Sequence, residues 1–150
     1  MSWIKPNFLW MMYRSRWGQA EGQEVVLAVW LRRAAFDAIL GQAVASSFRA
    51  SGQHDPATWQ AALARSSVRL QWDPDHGPGG QPLARRAIQL GLRGEVLAHY
   101  ARAWIVHLED VSPLVAEQRA ALARGGAAAL VTPREDVYPV PTTARAALGL

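Results

Sequence analysis

A chain of 150 residues, 50% hydrophobic and 19% charged, is long enough to bury one core without covalent staples. It has no cysteine, which excludes disulfides and thiolate metal centres and points to a reducing, cytoplasmic setting, and no apolar run is long enough to cross a bilayer, so no membrane is expected as a partner. The formal net charge of +4 favours anionic partners, either a nucleotide or other phosphate-bearing ligand, or nucleic acid.

The segment WIKPNFLWMMYRSRW, residues 3–17, is the densest aromatic stretch of the chain. Of the 16 basic residues all but Lys5 are arginine. Lysine is a compact point charge and arginine a planar fork, so the one ammonium that is kept is a candidate for a role that needs an amine. Pro6 disfavours helical geometry at Lys5, so Trp3 to Lys5 is read as extended. Asn7 is placed to cap a helix from Phe8 to Ser15, which Gly18 ends. Glu24 to Arg32, EVVLAVWLR, reads as a buried strand, and the alanine-rich run from Ala34 to Phe48 as a helix with Phe36, Ile39 and Leu40 on one face.

Asp55-Pro56 is a cap followed by proline at the first helical position, so PATWQAALAR is a helix. Val68 to Trp72 alternates as a half-buried strand, and DPDHGPGGQP after it is the clearest loop. Arg86 to Leu92 should be a strand, Gly94 to Arg102 a helix and Ala103 to Glu109 a strand. Ser112-Pro113 starts a last helix through Arg124, closed by Gly125-Gly126. The proline-rich tail from Thr132 is expected to wrap the surface. Helices and strands in this mixture give an α+β fold: a small, mostly antiparallel or mixed sheet with helices packed around it, one domain over residues 1–131 and a tail over 132–150.

On the first helix Phe8, Met11 and Met12 fall on one face, which reads as core. Trp10, Tyr13, Arg14 and Trp17 fall on another. Flat aromatics beside a guanidinium suit a stacked base and a paired phosphate, although the same stripe would serve as packing with Arg14 reaching outward. Lys5 lies just before the helix N-terminus, where free N–H groups favour an anion. Gln71-Trp72-Asp73-Pro74 stands where a strand gives way to a loop, a place for ligand contacts or for a turn in which Asp73 bonds its own backbone. Arg86 and Gln89, three residues apart on a strand, fall on opposite faces. Glu109 and Asp110 close a strand, suited to a general base, to a ribose hydroxyl, or to the helix start at Ser112. The histidines at 54, 76, 99 and 107 lack metal-ligand spacing, so no metal is expected. No HExxH, GxSxG, GxGxxG or Walker pattern occurs.

These segments carry a resemblance. WIKPNFLWMMYRSRW, then VRLQWDP, IQLGL, WIVHLEDVSPLV and REDVYPVP together resemble the family known as domain of unknown function 4291, over Trp3 to Pro141. The matching positions include Lys5, Trp10, Tyr13, Arg14, Trp17, Gln71, Trp72, Asp73, Arg86, Gln89, Trp104 and Asp110. Asn7 stands where the family has serine, Arg16 where it has glycine, and Asp75-His76 where it usually has Glu-Arg. The resemblance also implies a preceding segment with its own strand, so EVVLAVWLR is expected to keep an unpaired edge.

The family brings no activity with it. Its element order is similar to that of ADP-ribosyltransferases, which hold NAD in a cleft of a split β-sheet; this is fold-level analogy. It implies an NAD-type transferase with NAD as cofactor. Lys5 and Arg14 would then hold phosphates, Tyr13 or Trp10 would stack on a ring, and Glu109 or Asp73 would steady an oxocarbenium-like centre. Trp17, Gln71, Trp72, Arg86 and Gln89 complete the expected ligand contacts. The alternative is a non-catalytic nucleic-acid- or phosphate-binding module, and the third reading is a remnant whose aromatics are core.

Overall fold

Two separate sheets divide the computed structural model, which describes residues 1–150. The strands are β1 (Ser2–Ile4), β2 (Leu27–Leu31), β3 (Ala43–Ala45), β4 (Val68–His76), β5 (Pro82–Leu92) and β6 (Ile105–Asp110). Four of them form a mixed sheet in the order β1-β5-β4-β3, with β3 parallel to β4 and the other pairs antiparallel. The remaining two, β2 and β6, pair antiparallel as a separate ribbon. The helices are α1 (Phe8–Arg14), α2 (Arg33–Gly41), α3 (Pro56–Arg65), α4 (Gly94–His99), α5 (Ser112–Gly125) and α6 (Thr142–Leu148). The fold is α+β.

The β4–β5 hairpin carries the main core. Its register sets Val68 opposite Leu92 and Leu70 opposite Leu90, so all four point to one face. There they meet Ile39 and Leu40 of α2, Val96 of α4, and Ala144 and Leu148 of α6. Each such aliphatic side chain contributes roughly 1.5–3 kcal/mol of burial. A second cluster joins Met12 and Trp17 to Val26, ahead of β2, and Val115 of α5.

Local chemistry sets the helix starts, in one case by an unexpected route. Asp55 caps α3 by accepting from the Ala57 and Thr58 amides. Asn7 does not cap α1. Its Oδ1 accepts from the Ile88 amide at 3.3 Å and its Nδ2 donates to Asp75 at 3.4 Å, so it holds α1 to β5 just past the end of β1. The Phe8 amide is satisfied instead by Glu135 from the far end of the chain, at 2.6 Å.

Three elements differ from the sequence reading. The helix expected over residues 34–48 stops at Gly41, and Ala43 and Ala45 turn inward as buried positions of β3. Alanine's helix propensity hid a two-residue alternation, which pairing with β4 reveals. The loop expected over residues 73–82 shrinks to Gly77–Gln81, because β4 runs on to His76 and β5 begins at Pro82. Pro74 is tolerated because the ladder shifts register between Pro74 and His76. The tail does more than wrap the surface: α6 places Ala144 and Leu148 in the main core, and Tyr138 packs edge-on against Phe36.

Within EVVLAVWLR only Leu27–Leu31 form a strand, and not a buried one. β2 pairs with β6 on one side and leaves its other edge free, with Leu27 52% and Trp30 45% exposed.

Candidate ligand groove

The free edge of β2 is one wall of a cavity of about 790 Å³, within the range of small-molecule sites. Residues 25–31 all line it. The Val111 amide donates to the Val26 carbonyl. By the alternation of an antiparallel ladder, Val26, Ala28 and Trp30 therefore turn their backbone groups toward β6, and Val25, Leu27, Val29 and Leu31 turn theirs into the groove. Trp3 to Pro6, the start of α1, and Phe36 with the tail around Tyr138 line the rest of it.

Charge in the groove is mostly positive. Lys5, Arg33 and Arg134 line it, and so does one carboxylate, Glu135. That carboxylate is engaged, accepting from the Phe8 amide and lying 3.6 Å from Arg85. The helix N-terminus proposed as an anion site is thus already filled by a side chain of the protein. Lys5 Nζ stands 5.6 Å from the centroid of the Trp10 ring. Burial, reinforced by the nearby positive charge of Arg14, holds its pKa below the ordinary lysine value.

The expected ligand face of α1 is divided by the fold. Trp10 and Trp17 are buried, at 5% and 6% exposure, as is Met12, while Met11 is only half-buried and Arg14 is exposed. The helix has cover on both sides, so helical spacing alone does not separate core from site. Tyr13 stacks on His76, with ring centroids 5.4 Å apart, and donates to the Pro78 carbonyl at 2.5 Å. Gly80, at φ +81°, lets the hairpin tip approach: a Cβ there would stand 2.8 Å from the Tyr13 ring. Tyr13 and Trp17 also meet edge to face. Of the four, Trp10 and Trp17 are buried, Tyr13 is half-buried against the hairpin tip, and Arg14 is exposed.

The other nominated residues, Glu109 apart, lie on β4 and β5, outside the groove. Trp72 donates from Nε1 to the Leu148 carbonyl at 3.0 Å, and the Arg86 guanidinium lies 4.6 Å over its ring. Asp73 sits in the strand rather than in a turn, and accepts from the Gln89 amide. Gln71 is paired opposite Gln89 and is exposed. Arg86 thus goes with Trp72, and Gln89 with Asp73. Glu109 is exposed on β6, opposite Ala28 in the separate ribbon, so it shares no site with Asp73, and neither lines the groove. Asp110 accepts from the Ser112 amide at 2.9 Å at the start of α5, and its hydrogen bonds to Ser112 hold its pKa below the usual carboxylate value.

Several contributing residues escaped sequence reasoning. Asp75 is buried, accepting from Arg85 Nε at 2.7 Å and from the His76 amide at 2.8 Å. Glu135 and Tyr138 lie in REDVYPVP, a quoted segment whose acid and ring pointed to no particular partner. Arg33 carried no signal at all. The residues hold no group of three or more His, Cys, Asp or Glu fit for a metal ion, and no helix is long and apolar enough to cross a membrane.

No curated protein and no solved structure matches the chain. A family model described as "Domain of unknown function (DUF4291)" matches residues 1–138, nearly the whole length, and the chain belongs to that family.

Proposed function

We propose that the groove binds a nucleotide-type ligand, with NAD the cofactor favoured by the resemblance to ADP-ribosyltransferases. The observation that carries this reading is one cavity lined by Phe8, Phe36, Tyr100 and Tyr138 together with Lys5, Arg33 and Arg134. Flat aromatic walls suit a base or nicotinamide ring, with stacking worth about 1–3 kcal/mol per base. A guanidinium at the rim suits a phosphate through paired hydrogen bonds. The cavity lies between two separate sheets, and a split sheet is the setting of the NAD cleft in the analogy. Transfer of an ADP-ribosyl group would draw on a carboxylate at the cleft, and Glu135 is the one that lines it.

Calorimetric titration with NAD, ADP-ribose and AMP tests the reading. Arg33→Gln should weaken binding by roughly ten- to a hundredfold, the loss of one charge-assisted hydrogen bond of about 1.5–3 kcal/mol. Circular dichroism guards against misfolding, because Arg33 also lies over the Tyr138 ring. An unchanged affinity in a folded Arg33→Gln protein removes the groove as the site. The competing reading, a nucleic-acid module, predicts oligonucleotide binding that falls steeply with salt and ignores Arg33.

A further inference from the structure

Lys5 is the chain's single lysine, and it lies on the wall of an apolar groove. It makes no ion pair: the salt bridges are Arg85 with Asp75 and Glu135, and Arg134 with Asp136. The one carboxylate that lines the same groove, Glu135, is engaged elsewhere, on the Phe8 amide. The charged and titratable groups that line the groove with it are Arg33 of α2, Tyr100 after α4, and Arg134, Glu135 and Tyr138 of the tail. Arg14 of α1, outside that lining, is the guanidinium that opposes a positive charge on Lys5.

We infer that Lys5 is a nucleophilic amine, whose Nζ adds to the carbonyl carbon of an anionic aldehyde held in the groove and forms an imine. Lysine is the side chain suited to this chemistry, because its amine loses a proton when desolvated beside other cations and arginine's does not. The Trp10 face favours the ammonium, whereas burial and Arg14 favour the neutral amine. Burial first, and Arg14 after it, lower the Lys5 pKa from the ordinary lysine value. The guanidinium of Arg33, which enters none of the salt bridges, holds the anionic group.

The step balances without an oxidant or reductant. The Nζ lone pair forms the C–N bond as the carbonyl π pair moves to oxygen. Oxygen takes a proton from solvent and nitrogen releases one, giving a carbinolamine. The nitrogen lone pair then expels the hydroxyl, which takes up a proton and leaves as water. Loss of the last N–H proton from the iminium gives the imine.

This inference stands on Lys5 and the groove, and does not need the nucleotide reading. The test uses pyridoxal 5′-phosphate, with neutral benzaldehyde as a second probe, cyanoborohydride to reduce any imine, and peptide mapping by mass. Only two amines are present, Lys5 and the α-amine of Met1. Near pH 7 the folded protein should label Lys5 several-fold faster than the same chain unfolded in guanidinium chloride. Pyridoxal 5′-phosphate should outpace benzaldehyde in the folded protein by more than in the unfolded one. Lys5→Arg should retain the fold and leave only the Met1 adduct. Arg14→Gln should move the pH midpoint of Lys5 labelling upward. Labelling of Lys5 no faster in the folded chain than in the unfolded one overturns the inference, as does a midpoint equal to that of the unfolded lysine.

Discussion

The four-stranded sheet and the β2–β6 ribbon are made of similarly apolar strands, and they meet opposite fates. In the sheet, Leu90 and Leu92 are fully buried under α2, α4 and α6. In the ribbon, Leu27, Trp30 and Leu108 are each about half exposed. The difference lies in what covers the strands. Three helices lie against one face of the hairpin, whereas the ribbon has two strands and two free edges. An isolated two-stranded ribbon is marginal in water, so β2 and β6 depend on their anchors. Those anchors are the Val26 amide donating to Ser112 Oγ and the packing of Val26 with Met12, Trp17 and Val115.

The sharpest way to break the comparison is to cut the same side chain in both regions. Leu90→Ala should cost about 2–5 kcal/mol in urea unfolding, the usual price of a cavity in a tight core. Leu108→Ala should stay within about 0.5 kcal/mol, as exposed positions do. Equal losses would mean that the ribbon is covered as well as the sheet is.

Tyr138 tests whether the tail belongs to the sheet's cover. Its hydroxyl donates to Asp37 at 2.7 Å, and burial, followed by that bond, pushes its pKa up to about 12. Tyr138→Phe should cost about 1.5 kcal/mol. The sign of the pH effect follows from the raised value. The folded state holds the phenolic proton more tightly, so this stability is complete below pH 10 and is lost as pH rises toward 12. Tyr13 and Tyr100 are shifted in the same direction by burial. Thermal midpoints should therefore fall between pH 10 and 12, and less so in Tyr138→Phe. A parallel fall in both proteins would detach Tyr138 from the effect.

The sequence made the sheet more legible than the ribbon, and the ribbon more legible than the groove. Val68 to Trp72 announces its strand by alternation, and Asp55-Pro56 announces its helix by a cap with a mechanism. β3 was hidden, because Ala43 and Ala45 inside an alanine-rich run carry no local signal of the parallel partner that makes them a strand. The four-residue stripe on α1 suits a ligand face and packing alike, because periodicity says which residues share a face, never what that face meets. The groove was illegible for a similar reason. Lys5, Arg33 and Glu135 come together only when β1, α2 and the tail are folded, at sequence separations that no motif spans.

The turn that links α1 toward the ribbon gives a smaller effect. Arg16 and Trp17 both adopt left-handed backbone, with φ of 53° and 57°. Trp17 is held there by burial, but the Arg16 side chain is exposed and has nothing to keep it in place. Glycine, which the family resemblance suggests at this position, adopts that conformation without steric cost. Arg16→Gly should therefore stabilise the protein by about 1 kcal/mol, a gain readable in the urea midpoint. A loss would show that Arg16 makes a contact in solution that offsets its backbone strain.

The smallest change in folding stability is expected at the outer edge of the ribbon, where association should respond more than folding does. With Val26, Ala28 and Trp30 bonded to β6, the alternation turns the backbone groups of His107, Glu109 and Val111 inward and those of Val106, Leu108 and Asp110 outward. An outward row of N–H and C=O groups between exposed apolar side chains is a template for pairing with a second chain. A lysine in the middle of that row leaves the fold almost untouched, since Leu108 is half exposed, but places like charges against each other in any antiparallel pairing of two copies about that residue. Leu108→Lys should thus shift unfolding by no more than about 0.5 kcal/mol. Light scattering should record a higher concentration threshold for self-association. The same substitution at Leu27 acts at the groove edge instead, so comparing the two thresholds tells which free edge of the ribbon recruits the second chain.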